Sequence, residues 1–142
     1  MSGRDEAPSG PLDVETLDVL ARRATTHPLV SGWAFRPDSI SPRVLELELD
    51  DTRYPASVTE VRLDVHWFVG GDYTVHYLER HEEGRWQCRW DRHPRPDATR
   101  AHFHPPPDAS GVEPPPLETE YHLDVVFEVL EWVTDRNREL LE

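Results

Sequence analysis

Residues 58–91 read VTEVRLDVHWFVGGDYTVHYLERHEEGRWQCRWD, and this stretch decides the fold. Apolar and polar side chains alternate along it, which is typical of strands that bury one face and leave the other in water. The sequences Gly-Gly-Asp and His-Glu-Glu-Gly interrupt the alternation as turn signals. Consecutive strands joined by short turns predict an antiparallel meander. The three predicted strands are residues 58–69, 73–80 and 85–91.

The alternation also predicts how these strands align, because residues that lie opposite each other must share a face of the sheet. A three-residue Gly-Gly-Asp loop places His66 opposite His76, and the second turn places His76 opposite Arg89. These three side chains then form a row across the polar face, with Asp91 opposite Thr74. A slip by two residues would keep every side chain on its face, whereas a slip by one would expose the tryptophans.

Two more strands and two helices flank the meander. Leucines alternate with acidic residues in the predicted strand 43–50, and residues 29–36 form another strand that stops at a proline. Apolar residues at helical spacing predict helices over 13–25 and 118–141. The fold class is therefore α+β: an antiparallel β-meander of about five strands, with an N-terminal helix and a long C-terminal helix packed on one face.

The 142 residues are expected to form one domain with a tail. Residues 1–11 are small, polar and rich in Gly and Pro, and are predicted to be disordered. Residues 12–142 form the domain, in which residues 93–117 are a proline-rich loop without regular structure. The one cysteine, Cys88, lies between tryptophans in a strand pattern and is expected to be buried rather than nucleophilic.

The composition indicates a salt-adapted protein. All 15 basic residues are Arg, against 28 Asp and Glu, and the formal net charge is −13. Such a surface stays hydrated where salt screens the repulsion between its charges. An acidic face for a basic partner is the alternative. The absence of a signal peptide and of a long apolar run predicts a soluble cytoplasmic protein.

Residues 85–104 stand out as a basic island in this acidic chain, with five Arg against two Asp. They also hold His93, His102 and His104. Arg binds phosphate through its planar fork, and His exchanges a proton near neutral pH. The basic island and the row of His66, His76 and Arg89 are therefore a candidate site for phosphate chemistry. The alternatives are a solvated polar face and a tight turn.

A metal site and a loop-stabilising role are two further interpretations of the three histidines. His102 and His104, with His93 and Asp108, offer nitrogen and oxygen ligands. The surrounding arginines would repel a cation, so we expect no metal and no cofactor. Phe103, between two of these histidines, is the expected exposed residue for stacking on a base.

This organisation resembles the TumE-type toxins of toxin–antitoxin systems over about residues 12–140. In that family a strand ends in Arg-Tyr-Asp-Asn-Ala-Pro-His, and a His-His-Lys-His stretch follows. The chain departs from the pattern with Arg92 in place of Asn-Ala, with Phe103 in place of Lys, and with Arg100 or Ala101 in place of the first His. The matching positions are Arg89, Trp90, Asp91, His93, His102 and His104.

The resemblance implies an RNA-cleaving toxin of a type II system, neutralised by a helix-turn-helix antitoxin protein. Its chemistry would need no metal: one His takes the proton of the ribose 2′-OH, an Arg stabilises the phosphorane charge, and another His protonates the leaving oxygen. The catalytic residues would be Arg89, His102 and His104, with Asp91 orienting and His93 supporting. The expected substrate-binding residues are His66, His76, Arg92, Arg100 and Phe103.

A non-enzymatic protein-interaction module of a salt-adapted cytoplasm is the alternative function. The acidic C-terminal helix and the proline-rich loop would then dock a partner, and the His and Arg residues would be structural. For the toxin, the expected partners are the helix-turn-helix antitoxin and RNA, without a membrane, and a homodimer is left open.

Overall fold

The computed structural model describes residues 10–93, 100–117 and 119–142. Within these residues the chain forms an N-terminal helix, a sheet and a C-terminal helix, with a short 3-10 turn after the second strand. The elements are α1 (Val14–Ala24), β1 (Val30–Arg36), β2 (Val44–Leu49), the 3-10 turn (Asp51–Arg53), β3 (Val58–Trp67), β4 (Tyr73–His81), β5 (Gly84–Arg92), β6 (Ala101–His104) and α2 (His122–Leu141).

The strands form one antiparallel sheet in which each strand pairs with its neighbours in the sequence, from β1 to β6. Helix α1 packs against β2, β3 and α2. The buried residues of both helices join those of the strands in a single core, so both helices cover the same face of the sheet. The predicted α+β class, the meander and the packing of both helices on one face are confirmed. Six strands are described, against the expected five.

Local chemistry explains where the helices begin and which faces they bury. The carboxylate of Asp13 accepts a hydrogen bond from the backbone N–H of Thr16 at 3.1 Å and caps α1. Along α2, the ring of Trp132 packs against Tyr77, Trp86 and Trp90 of the sheet. Each large apolar side chain that is buried in this way contributes about 1.5–3 kcal/mol. Aromatic packing therefore fixes α2 over β4 and β5.

Strand β6 was not predicted, because residues 93–117 were expected to lack regular structure. Residues 101–104 carry no proline and alternate in polarity, and they pair with β5. Prolines resume at residue 105, so the strand is limited to four residues. This short strand places His102 opposite Asp91 and His104 opposite Arg89.

The predicted alignment is confirmed between β4 and β5 and wrong between β3 and β4. His76 lies opposite Arg89, and Thr74 lies opposite Asp91, as expected. His66, however, lies opposite Thr74 rather than His76. The reason is the turn, which takes in residues 68–72 rather than 70–72 because the N–H of Phe68 donates to the carbonyl of Asp72 at 2.9 Å. The alignment is shifted by two residues, so every side chain keeps its predicted face.

Two predicted features fall partly outside the described residues. Of the predicted disordered tail, residues 1–11, only Gly10 and Pro11 are described. Residues 94–99 of the proline-rich loop are outside as well. Among the helices described, neither has the length and apolar character needed to cross a bilayer.

Candidate functional site

The site is on the face of the sheet opposite the helices. Because alternate residues share a face, β5 presents Arg89 and Asp91 there, and β6 presents His102 and His104. His76 completes a row with Arg89 and His104 across β4, β5 and β6. A parallel row joins His66, Thr74, Asp91 and His102. The meander thus brings side chains from four strands to one end of the open face.

Asp91 is the centre of this group and is only 2% exposed. Its Oδ2 accepts a hydrogen bond of 2.8 Å from Nε of Arg89. Three imidazole nitrogens approach the same oxygen: Nε2 of His104 at 2.9 Å, of His102 at 3.7 Å and of His93 at 3.9 Å. We call Asp91, His93, His102 and His104 the Asp91 cluster. A single carboxylate oxygen therefore faces one guanidinium and three imidazoles.

The orientation of His104 is fixed by the loop that follows β6. Its Nδ1 lies 2.8 Å from the carbonyl oxygen of Gly111. Because a carbonyl can only accept, Nδ1 carries the proton and donates it. The other nitrogen, Nε2, then faces Asp91. Although it is 2.9 Å from Oδ2, it forms no hydrogen bond of normal geometry with any described group.

The rings of the cluster lie below the surface, and Arg89 forms its rim. His93, His102 and His104 are all buried, whereas the Arg89 side chain is 38% exposed. The rings of His93 and His102 meet edge to face with centroids 4.8 Å apart, and those of His102 and His104 do so at 5.0 Å. Arg89 is therefore the member of the site that solvent reaches most readily.

His76 and His66 line the next strands of the open face. Nε2 of His76 lies 2.8 Å from Oε1 of Gln87. Burial lowers the pKa of His66, and the neighbouring carboxylate of Asp64 opposes that effect. Burial would raise the pKa of Asp64, but hydrogen bonds and charge from His76 and Arg62 outweigh it and hold that pKa below its usual value. At neutral pH the carboxylate is charged and the His66 ring is neutral.

The family model described as toxin TumE matches residues 17–137, which spans α1 to α2 and every residue of the site. The chain belongs to the TumE toxin family. Membership indicates the toxin component of a toxin–antitoxin system and implies an antitoxin partner. No curated protein and no solved structure shows significant similarity to the chain.

In this TumE-family chain, five of the predicted site residues meet in one place. Arg89, His93, His102 and His104 each place a side-chain nitrogen within 3.9 Å of Asp91 Oδ2. His66 and His76 share the same face, in the two rows described above. Asp108, considered as a ligand alongside the histidines, is exposed and accepts hydrogen bonds from Ser110 instead.

The other predicted substrate-binding residues lie elsewhere. Arg92 is on the helix-covered face, where it pairs with Asp72 at 3.1 Å and with Glu120 at 2.8 Å. Arg100 donates two hydrogen bonds, of 2.9 and 3.1 Å, to the carboxylate of the same Asp72. Phe103 is 6% exposed and packs against core tryptophans, so the expectation of an exposed stacking residue is wrong. Pairing with β5 turns Phe103 toward the core.

Sequence reasoning in this TumE-family protein missed the role of Asp72. This buried carboxylate lies in the Gly-Gly-Asp turn and forms ion pairs with Arg92 and Arg100. Two of the island's arginines are therefore paired with a carboxylate of the turn. The signal available in the sequence was an acidic residue at a turn in a chain rich in Arg, which is too common to single out.

Proposed function

We propose that this TumE-family toxin belongs to a type II system and acts by cleaving RNA. The observation that carries the proposal is the convergence on Asp91 Oδ2 of one guanidinium and three imidazoles. Cleavage of RNA through its own 2′-OH needs a base, an acid and a positive charge near the phosphate. The Asp91 cluster and Arg89 supply these three functions within one group of neighbouring side chains.

In the proposed reaction, Arg89 turns from Asp91 to bind the scissile phosphate. It is the exposed rim of the site, and the planar guanidinium suits two phosphate oxygens at once. This movement also uncovers the carboxylate and the imidazoles beneath it. Binding of the phosphate and access to the cluster are therefore one event in the proposal.

His104 is the proposed base. Gly111 fixes the proton on Nδ1, which leaves the lone pair of Nε2 to take the proton of the 2′-OH. The 2′-oxygen attacks phosphorus, a 2′,3′-cyclic phosphate forms, and the bond to the 5′-oxygen breaks. His102 in its protonated form gives its proton to that 5′-oxygen. Asp91 stabilises whichever imidazole carries positive charge, and His93 supports the group from the end of β5.

Purified full-length protein tests the proposal with a short fluorescent RNA in salt-containing buffer with EDTA. The expected product ends in a 2′,3′-cyclic phosphate, and none forms on an otherwise identical RNA with 2′-deoxy residues. Cleavage of the deoxy substrate would rule out attack by the 2′-OH. Absence of any cleavage by folded protein, across RNAs of varied sequence, would reject the enzymatic proposal.

A non-enzymatic toxin is the second candidate, and the burial of the cluster favours it. Nε2 of His104 has less than 1 Å² of exposed surface. If Arg89 does not move, the imidazoles only hold the loop after β6 against the sheet, and toxicity would come from binding. The same assay separates the two, because a non-enzymatic toxin leaves the RNA intact at every protein concentration.

The proposal includes a helix-turn-helix antitoxin as the neutralising partner. Co-expression with the neighbouring small gene should give a stable complex that does not cleave RNA. If the protein encoded by the neighbouring gene has no helix-turn-helix segment, or if it leaves RNA cleavage unchanged, this part of the proposal is rejected.

A further inference from the structure

We propose that Asp91, His102 and His104 form a binding site for a divalent transition-metal ion of the Zn²⁺ class. Each of the three residues offers one ligand atom, and these atoms lie within 4.8 Å of one another. All three side chains are buried. The proposal concerns the same residues as the proposed function and adds a ligand to them.

The separations agree with a shared ion. Bond lengths of about 2.0–2.2 Å put two ligands of one tetrahedral zinc ion roughly 3.3 Å apart. The distances from Asp91 Oδ2 to Nε2 of His104 and of His102 are 2.9 and 3.7 Å, on either side of that value. The third separation, between the two imidazole nitrogens, is bounded only by the 4.8 Å limit for the set, so these nitrogens would close by up to about 1.5 Å when an ion binds. Nε2 of His93, 3.9 Å from the same oxygen, is within reach of a fourth position.

His104 supplies an independent argument. Its Nδ1–H donates to the carbonyl of Gly111, so a neutral ring directs the lone pair of Nε2 toward a carboxylate oxygen 2.9 Å away. Two lone pairs repel at this distance. A cation between them removes the repulsion, and a backbone carbonyl on the far nitrogen is the usual support of a metal-binding histidine. Protonation of the ring is the competing solution, and metal titration distinguishes the two.

The donor set selects the class of ion. Two imidazoles and one carboxylate suit Zn²⁺, Co²⁺ or Ni²⁺, whereas Mg²⁺ and Ca²⁺ prefer oxygen ligands alone. Arg89 opposes binding, because it donates to the oxygen that the ion would take and carries the same sign of charge. Since its side chain is 38% exposed, Arg89 can swing into solvent when the ion binds.

One consequence rests on the proposed function. An ion on Nε2 of His104 occupies the lone pair that the proposed reaction needs to take a proton. Metal binding and RNA cleavage are then mutually exclusive, so a transition metal inhibits the toxin at one equivalent per chain.

The test titrates EDTA-stripped full-length protein with Co²⁺, whose visible absorption reports tetrahedral coordination, and then displaces it with Zn²⁺. We expect one ion per chain and a loss of affinity of at least about 100-fold in His104→Ala. Arg89→Ala should bind about tenfold more tightly than the wild type, because the competing charge is gone. His122→Ala, at a histidine that begins α2 on the other face of the sheet, should bind like the wild type. Circular dichroism confirms that each variant is folded.

The outcomes are separable. Equal affinity in wild type and folded His104→Ala, or weaker binding in Arg89→Ala, would overturn the site. If His104→Ala does not fold, the Arg89→Ala result alone decides. Stoichiometric metal binding by a protein that never cleaves RNA would keep the site and reject the proposed function. RNA cleavage that continues at the same rate with Zn²⁺ bound would overturn the inhibition.

Discussion

Arg136 of α2 holds Glu79 of β4 through two parallel hydrogen bonds, each 2.8 Å long. Glu79 is completely buried, and its carboxylate also accepts hydrogen bonds from Tyr77 and His81. The Arg136 guanidinium lies 3.6 Å above the ring of Trp86. Both oxygens of this buried carboxylate accept hydrogen bonds. The network therefore holds the C-terminal half of α2 against the sheet.

Glu79→Gln should destabilise the protein by about 3 kcal/mol, because it leaves the charge of Arg136 without its partner in a buried site. Unfolding in urea at neutral pH and constant salt measures this effect. Glu83→Gln is the matched control, since Glu83 lies exposed in the next turn and its loss should change the free energy of unfolding by less than about 0.5 kcal/mol. Equal stability of the two variants would show that the network does not stabilise the fold.

The same network predicts a sensitivity to acid. Burial would raise the pKa of Glu79, but the hydrogen bonds from Arg136, Tyr77 and His81 outweigh it and hold that pKa below its usual value. A carboxyl with a lowered folded pKa contributes stability above its unfolded pKa of about 4.3 and loses it as the pH falls through the folded value. The stability gap between wild type and Glu79→Gln should therefore be full at pH 6 and shrink below about pH 4. A gap that stays constant down to about pH 2 would contradict this.

Cys88 should be unreactive in the folded protein. It is fully buried, and burial raises the pKa of its thiol well above the usual value. A thiol reagent at neutral pH should label it only after unfolding by denaturant, since the thiolate is the reactive form. Rapid labelling of the native protein would mean that β5 is accessible from the helix-covered face.

Salt should stabilise the fold. The formal net charge of −13 makes the surface repel itself, and added salt screens that repulsion. The midpoint of thermal unfolding should rise between about 0.1 and 2 M NaCl, with most of the rise where screening is still incomplete. No rise would argue that the acidic surface faces a basic partner instead of serving a salt-rich medium.

Much of the fold could be predicted from alternation and turn signals, because both are local. The alignment of β4 with β5 follows from the short turn between them, and it correctly places His76 opposite Arg89. The alignment of β3 with β4 depends instead on the length of the turn, which takes in residues 68–72 and not only the Gly-Gly-Asp signal. The apolar pair Phe68 and Val69 continues the alternation of β3 and gives no turn signal, so His66 was placed two residues from its true partner.

The sequence allowed the residues of the site to be predicted, but not the arrangement of their side chains around Asp91. The Arg-x-Asp and His-x-His motifs, together with His93, named Arg89 and the members of the Asp91 cluster. The pairing of β6 with β5, which turns Phe103 inward and His104 toward Asp91, comes from four residues in a proline-rich segment. Arg92 lies opposite Tyr73, so its position near Asp72 follows from the pairing of β4 with β5. The contact of Arg100 with Asp72 depends instead on the placement of β6, which was not predicted.

The central claim is that Arg89 and the Asp91 cluster form an RNA-cleaving site, and single-turnover cleavage in EDTA by Arg89→Ala and Arg85→Ala tests it most directly. Arg85 is the matched control, being exposed on the same strand and face but four residues away, opposite Arg80. We predict that Arg89→Ala cleaves at least about 100-fold more slowly than the wild type, the usual effect of removing a group that stabilises the transition state, and that Arg85→Ala cleaves at the wild-type rate. Wild-type cleavage by folded Arg89→Ala, or an equal loss in both variants, would contradict the account.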